Sequence, residues 1–267
     1  MSANPQVVPG ESILLRGDEG GVVTLTLNRP TQFNSLSIEL IQALQSELER
    51  IGKDPQARVV VIAGAGRAFC AGHDLKEMRS DPSKAFQKAL FDQCSRLMLT
   101  ITSIPQPVIA RVHGIATAAG CQLVAMCDLA VASDDARFAV SGVNLGLFCS
   151  TPSVALSRNL GRKQAMEMLL TGDFIDAKTA LDRGLVNRVV PLELLDAEVR
   201  KLAEAILAKT PVAIGIGKRL FYGQLEQGLE GAYALASEAM ACNMDSDDAK
   251  EGIDAFIEKR KPAWRGR

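Results

Sequence analysis

Hydrophobic and polar positions along this chain switch between a two-residue and a helical period. ILLRG and VVTLTLN read as two strands about the turn Asp18-Glu19-Gly20-Gly21. SIELIQALQSELERI then takes up helical spacing behind Ser37, whose hydroxyl suits an N-cap. A β-hairpin feeding a helix is the expected start. RVVVIAG follows as a buried strand, KAFQKALFDQCSRLMLTI as a helix, PVIARVHG as a strand, TAAGCQLVAMC as a short apolar helix and DLAVAS as another strand. This alternation predicts an α/β core with parallel strands. After about residue 150 the strands nearly stop, LVNRVV excepted, and helical patterns run through EGIDAFIEKRK, where Ile253, Phe256 and Ile257 share a face. The division expected is a core over residues 1–200 and a helical C-terminal region over 201–267.

Composition narrows the function classes. A chain of 267 residues that is 47% hydrophobic can bury a large core. Its net charge of -1 provides no field to collect nucleic acid or an anionic membrane, so any anionic partner must be held by local cations. The six cysteines show neither a CxxC pair nor the His-rich spacing of a zinc site, so no metal centre is expected. MSANPQVVPGESILL lacks the basic and apolar segments of a secretory leader, and no uninterrupted apolar run is long enough to span a bilayer. Reduced thiols in a cytoplasmic protein, with no membrane or nucleic-acid partner, are the expectation.

Two segments leave a strand, pass a glycine-containing turn and enter a helix, where α/β proteins commonly seat ligands. They are AGAGRAFCAGHDL and VHGIATAAGCQL. The first is no dinucleotide fingerprint, because Phe69 stands where the third glycine of GxGxxG must let helix and strand approach. Such turns can aim unpaired peptide N–H groups at an electron-rich atom, and two of them would supply the two donors of an oxyanion hole. The same segments also suit ordinary tight turns at strand ends.

FCAGHDLKEM, HGIATAAGCQLVAMCDLAVASDDARF, GVNLGL, LLTGD, GLVNRVVP and EGIDAFIEKRKPAW, in this order, resemble the enoyl-CoA hydratase/isomerase, or crotonase, superfamily from NRPTQFNSL to the C-terminus. The wording ATAAGCQLVA and GVNLGLFCSTP is most similar to the enoyl-CoA hydratase domain-containing protein 3 group. The resemblance implies a crotonase (ClpP-like) spiral of ββα units, an acyl-CoA thioester as substrate with no permanently bound cofactor, and a role in fatty-acid metabolism. It also implies a C-terminal region that makes homotrimers, or hexamers as dimers of trimers. By position, the oxyanion donors fall on the backbone N–H groups of His73 and Ala119, leaving the His73 ring to face solvent or ligand. His113 reads as structural.

The departures from the family are as informative. Its hydratases use two glutamates, and those positions hold Gln122 and Gly142 here. A glutamine amide does not usefully exchange a proton near pH 7, and glycine has nothing to exchange. Loss of one general acid or base costs about 10²–10⁴ in rate, so conventional hydration is expected to be largely lost. Ser141, Asn144, Cys149, Ser150 and Thr151 fall where the family lines its acyl pocket, and Phe86, Leu90, Phe91 and Leu97 are candidates for its cover. For the coenzyme A phosphates the resemblance points to Arg29 and to Lys259, Arg260 and Lys261, while Ala71, Gly72 and Asp74 would border the adenine and pantetheine. Asp74 is also a helix-cap candidate, and Asp128, Lys76 and Glu77 are expected outside the chemistry. The expected protein is a nominal enoyl-CoA hydratase or isomerase, of the lyase or isomerase class, that keeps the oxyanion hole and lacks both acid/base glutamates. The alternatives are another thioester-enolate reaction or a non-catalytic acyl-CoA binding protein.

Overall fold

The structure, a computed structural model, describes residues 12–266. The leader reading of MSANPQVVPG lies outside the described residues. β1 (Leu14–Glu19) and β2 (Val22–Leu27) pair antiparallel about Gly20 and Gly21. Both glycines have positive φ, 57° and 85°, as a tight hairpin turn with right-twisted strands requires. α1 (Ile38–Ile51) follows, and Ser37 Oγ accepts the Leu40 N–H at 3.2 Å as its N-cap.

One pattern then repeats three times. β3 (Val59–Gly64) and β4 (Ala68–Cys70) lead to α2 (Leu75–Ser80) and α3 (Lys84–Ser103). β5 (Val108–Val112) and β6 (Ile115–Thr117) lead to α4 (Ala119–Met126), and β7 (Leu129–Ser133) and β8 (Arg137–Ala139) lead to α5 (Ser150–Asn159). α6 (Arg162–Thr171), β9 (Ile175–Asp176), α7 (Ala177–Asp182) and β10 (Arg188–Val190) follow, and the chain ends in α8 (Leu195–Leu207), α9 (Pro211–Leu225), α10 (Leu229–Asp245) and α11 (Asp247–Ile257). The first strand of each unit joins a six-stranded sheet in the order β1-β2-β3-β5-β7-β10, and the second joins a small sheet in the order β4-β6-β8-β9. Strands of successive units run parallel within both sheets. This is the ββα spiral of the crotonase fold.

The continuous apolar run of β3 is explained by burial on both faces of the large sheet. Val60 and Ile62 turn toward the main core with α1, α3 and α4, while Val59 and Val61, with Ile109 and Val131, turn toward Leu195, Val199 and Ala203 of α8. A division at residue 200 therefore falls within a helix that covers the sheet, and the core runs on to Leu207.

α9 is tied to this core by a buried polar cluster. Lys218 Nζ donates to Asp128 Oδ2 at 2.6 Å and to the Ile101 and Gln106 carbonyls at 2.8 Å each. Asp128 also accepts the Tyr222 hydroxyl at 2.8 Å and the Val108 N–H at 2.7 Å, so every member is satisfied. α10 differs: none of its 17 residues is buried within one chain.

Candidate functional site

The small sheet brings the two glycine-containing segments together. The segment leaving β4 forms a parallel bridge between His73 and Leu36, in which Leu36 N–H donates to the Gly72 carbonyl at 2.7 Å and Asp74 N–H donates to the Leu36 carbonyl at 3.1 Å. In that pattern the bridge bonds belong to Leu36, so the peptide groups of His73 itself point away from it. Ala119 is the first residue of α4, and its N–H precedes the intrahelical ladder. Neither N–H has a protein acceptor among the described residues. Both residues line one cavity of about 430 Å³.

Glycines make this approach possible. Gly72 has φ 90°, and a Cβ there would stand 2.8 Å from Ala118 Cβ and 3.2 Å from Ala119 N. A Cβ on Gly120 would meet the Cys70 carbonyl oxygen at 2.1 Å, so α4 seats directly on the end of β4. Ala118, between β6 and α4, holds φ 51° and ψ -120°, a conformation that glycine adopts more easily. Its N–H is fixed to the Ala139 carbonyl at 3.0 Å. The donor at Ala119 thus rests on a strained residue held by its neighbours, a cost typically of about 1–3 kcal/mol.

The rest of the cavity wall is apolar or neutral. Leu75, Met78, Phe91, Leu145, Leu147 and Phe148 line it with Ala71, Ser141, Cys149, Ser150, Thr151 and Gly142, and no carboxylate or cation is among the lining residues. Of the cover residues expected from α3, Phe91 reaches the cavity, whereas Leu90 and Leu97 pack in the core. Phe86 and Asn144 also stand outside the lining, and Asn144 lies against Gly172. Leu145, Leu147 and Phe148, like Leu75 and Met78, were not singled out by spacing. The GLF-containing turn of the first three follows no helical or strand period.

Gln122 is buried in α4, and its Oε1 has no partner. Gly142 gives the cavity only backbone, and its N–H donates to Cys149 Sγ at 3.3 Å. A Cβ at Gly142 would lie 2.5 Å from the Leu147 carbonyl oxygen and 2.7 Å from Cys149 Sγ, so a glutamate could not enter without moving this turn. Burial raises the Cys149 thiol pKa, which keeps it protonated near neutrality.

The His73 ring does not face open solvent. It packs edge to face on Phe91 at 5.3 Å between centroids, and its Nε2 is buried without a partner. Burial lowers its pKa from 6.5 to about 4, so the imidazole is neutral at pH 7 and a weak base. Because the unfolded chain takes up this proton first, His73 should erode stability as pH falls from 6.5 toward 4. With two histidines in the chain, proton NMR can follow both rings, and the His73 resonance is expected to titrate near pH 4. A midpoint at 6.5 would show that the ring is solvated.

Other candidate residues have structural partners. Asp74 caps α2 through the Lys76 N–H at 3.0 Å and pairs with Arg29 at 2.9 Å. Arg29 also donates to the Ser35 carbonyl at 2.6 Å. Glu77 accepts the Ile38 N–H at 2.8 Å at the start of α1, a contact across 39 positions that local sequence could not reveal. Lys259 has φ 55° just beyond α11 and is exposed. His113 accepts from Arg111 Nη1 at 3.2 Å through Nδ1, so its Nε2–H donates to the Gly66 carbonyl at 2.8 Å, a structural use of the ring. Among the described residues no group of three or more His, Cys, Asp or Glu is placed to hold a metal ion, and no helix is long and apolar enough to cross a membrane.

The sequence model of the enoyl-CoA hydratase/isomerase family matches residues 17–267. The chain is 48% identical over 246 residues to the mitochondrial enoyl-CoA hydratase domain-containing protein 3 of Xenopus laevis, an alignment covering 92% of this chain and 84% of the relative. It is similar to the crystal structure of enoyl-CoA hydratase from Mycobacterium smegmatis, with TM-score 0.94 and 58% identity over 95% of this chain and 99% of the other. The crystal structure of human enoyl-CoA hydratase domain-containing protein 3 gives TM-score 0.92 and 44% identity over 95% of this chain and all of the other, at 100%. The expectation of a cytoplasmic protein is corrected by these comparisons, because the enoyl-CoA hydratase domain-containing protein 3 relatives, at 45–48% identity, are named as mitochondrial. The ββα spiral and the match over nearly the whole described length lead to one assignment: the chain belongs to the enoyl-CoA hydratase/isomerase family.

Proposed function

We propose that the protein binds an acyl-CoA thioester with its carbonyl oxygen between the His73 and Ala119 N–H groups, and stabilises the charge of an enolate there without two-carboxylate hydration. The supporting observation is two N–H groups lacking acceptors at one cavity whose lining includes no carboxylate. Preoriented donors in an apolar surround meet developing charge without reorganising. The pantetheine would run past Ala71 and Gly72, and the nucleotide toward Asp74 and Arg29. Since Asp74 already offsets the Arg29 charge, Lys259 of another copy is the cation assigned to the phosphates.

Hydration of crotonyl-CoA, followed by loss of the conjugated thioester absorbance, tests this reading beside calorimetric binding of butyryl-CoA. Binding is expected without turnover in the usual range of roughly 1–10³ s⁻¹. Turnover in that range would show that another acid and base exist. No binding of either thioester would overturn the proposed site itself. The absence of carboxylates from the lining also favours a second reading, a non-catalytic acyl-CoA binding protein, which predicts binding and no product from any ester.

The C-terminal helices are assigned to a homotrimer, alone or paired as a hexamer. Leu229 and Tyr233 of α10 are 77% and 69% exposed, and Phe256 of α11 is 86% exposed. Apolar surface of this extent calls for a covering partner. Tyr233→Glu with Phe256→Glu is expected to shift the sedimenting species from trimer or hexamer to monomer. An unchanged assembly would place the interface elsewhere.

A further inference from the structure

We infer that the chain carries a ligand site separate from the thioester cavity, for an organic anion of the nucleoside diphosphate class. The site is a cleft of about 490 Å³ at the point where β3 and β5 begin and the C-terminal tail returns to the turn between α8 and α9. The thioester cavity lies on the segments that follow the opposite ends of the same strands. No residue lines both.

Three different segments each bring a cation to this cleft. Lys53 lies in the turn after α1, Arg58 directly before β3, and Arg265 in the tail. None of the three forms an ion pair among the described residues. Arg58 donates through Nη2 to the Lys209 carbonyl at 2.7 Å, which fixes the guanidinium without opposing its charge. The carboxylate in the lining, Asp54, is already engaged: it accepts the Gln56 N–H at 2.9 Å and lies 3.9 Å from Arg16. α9 starts at the same wall, where Pro211 and Val212 place the positive end of its dipole. A chain of net charge -1 therefore concentrates unpaired positive charge in one concavity, and a bound anion would relieve the mutual repulsion.

The cleft suits more than a free phosphate. Its volume falls within the range of roughly 300–1,000 Å³ common for small-molecule sites, and Pro105, Ile206, Val212 and Ile214 offer an apolar wall to a flat ring. Gln106, also in the lining, is 7% exposed. Its Nε2 donates to the Ile51 carbonyl at 2.8 Å and to the Asp54 carbonyl at 3.3 Å, while its Oε1 has no partner. A ring amine or ribose hydroxyl is the kind of donor this oxygen lacks.

The tail side of the cleft is fastened in place. Arg265 and Gly266 N–H donate to Asp248, 1% exposed, at 2.6 and 3.0 Å, and Ala263 N–H donates to Glu251 at 2.8 Å. Trp264 Nε1–H donates to the Ala208 carbonyl at 2.9 Å. Arg265 is thus held at the cleft next to the single tryptophan of the chain, whose fluorescence reports on occupancy.

The test titrates ADP, inorganic pyrophosphate and adenosine into the full chain, read by calorimetry and Trp264 fluorescence. ADP is expected to bind and change the fluorescence, with pyrophosphate weaker, adenosine weaker still, and ADP affinity falling as salt is raised. Lys53→Glu with Arg265→Glu, both at exposed positions, should lower ADP affinity by about tenfold or more and leave butyryl-CoA affinity and melting temperature unchanged. No ADP binding by the unmodified chain would overturn the inference. ADP binding that survives the double substitution would place the nucleotide elsewhere and overturn it too. A parallel loss of butyryl-CoA affinity in the folded variant would overturn the separateness of the site, and equal affinities for pyrophosphate and ADP would overturn the nucleoside assignment.

Discussion

Ala119→Pro is expected to lower turnover of any processed thioester by about 10²–10³, equivalent to roughly 2.7–4 kcal/mol of lost transition-state stabilisation, while the chain still folds. The substitution replaces the amide hydrogen by the Cδ of the proline ring, so the donor is lost. Position 119 is the first residue of α4, where proline is well tolerated because the missing N–H has no intrahelical acceptor. The residue before a proline is restricted from helical geometry, and Ala118 at φ 51° and ψ -120° is already outside it. Comparing kcat/KM and melting temperature of variant and unmodified protein checks the result. Equal kcat/KM in a folded variant would remove Ala119 from the chemistry.

The largest stability effect is expected at Lys218. Lys218→Ala removes the cation from a cluster in which its side chain is only 6% exposed, leaving the part-buried Asp128 with Tyr222 and Val108 as its remaining donors. Breaking a buried pair in this one-sided way typically costs about 3–5 kcal/mol, much of it from the uncompensated charge. Part should return in the double variant Lys218→Met with Asp128→Asn, which withdraws both charges. Urea unfolding midpoints read both effects. A loss under about 1 kcal/mol for Lys218→Ala would put the pair in the class of solvated surface bridges. Because the cluster joins α9 to the start of β5 and the end of α3, the same variant should loosen the attachment of the C-terminal helices to the sheet.

The large sheet was legible because its central strands are apolar on both faces and the intervening helices are long enough to show a period. The small sheet was not. β4, β6 and β8 have three residues each and β9 has two, too few for alternation to declare itself, yet they bring Gly72 beside Ala119. Motif position, rather than periodicity, pointed to His73 and Ala119. Motif position alone led Gln122 and Gly142 to be read as standing where the family's glutamates are expected, and only coordinates reveal that the Leu147 carbonyl and Cys149 sulfur occupy the space a side chain at 142 would enter. The partnerships of Arg29 with Asp74, Glu77 with Ile38 and Lys218 with Asp128 span 39 to 90 positions and follow from folding alone. The division expected at residue 200 falls inside α8, which looks like the helices after it although its apolar stripe serves the sheet.

The absence of any buried residue in α10 has a thermodynamic consequence. A helix without an interior of its own opens by local fluctuation rather than by unfolding of the whole chain, so its amides exchange hydrogen quickly wherever no second surface covers it. When identical copies provide that surface, mass action governs its protection. Dilution then acts on α10 as a selective denaturant, loosening the end of the chain while the two sheets keep their order.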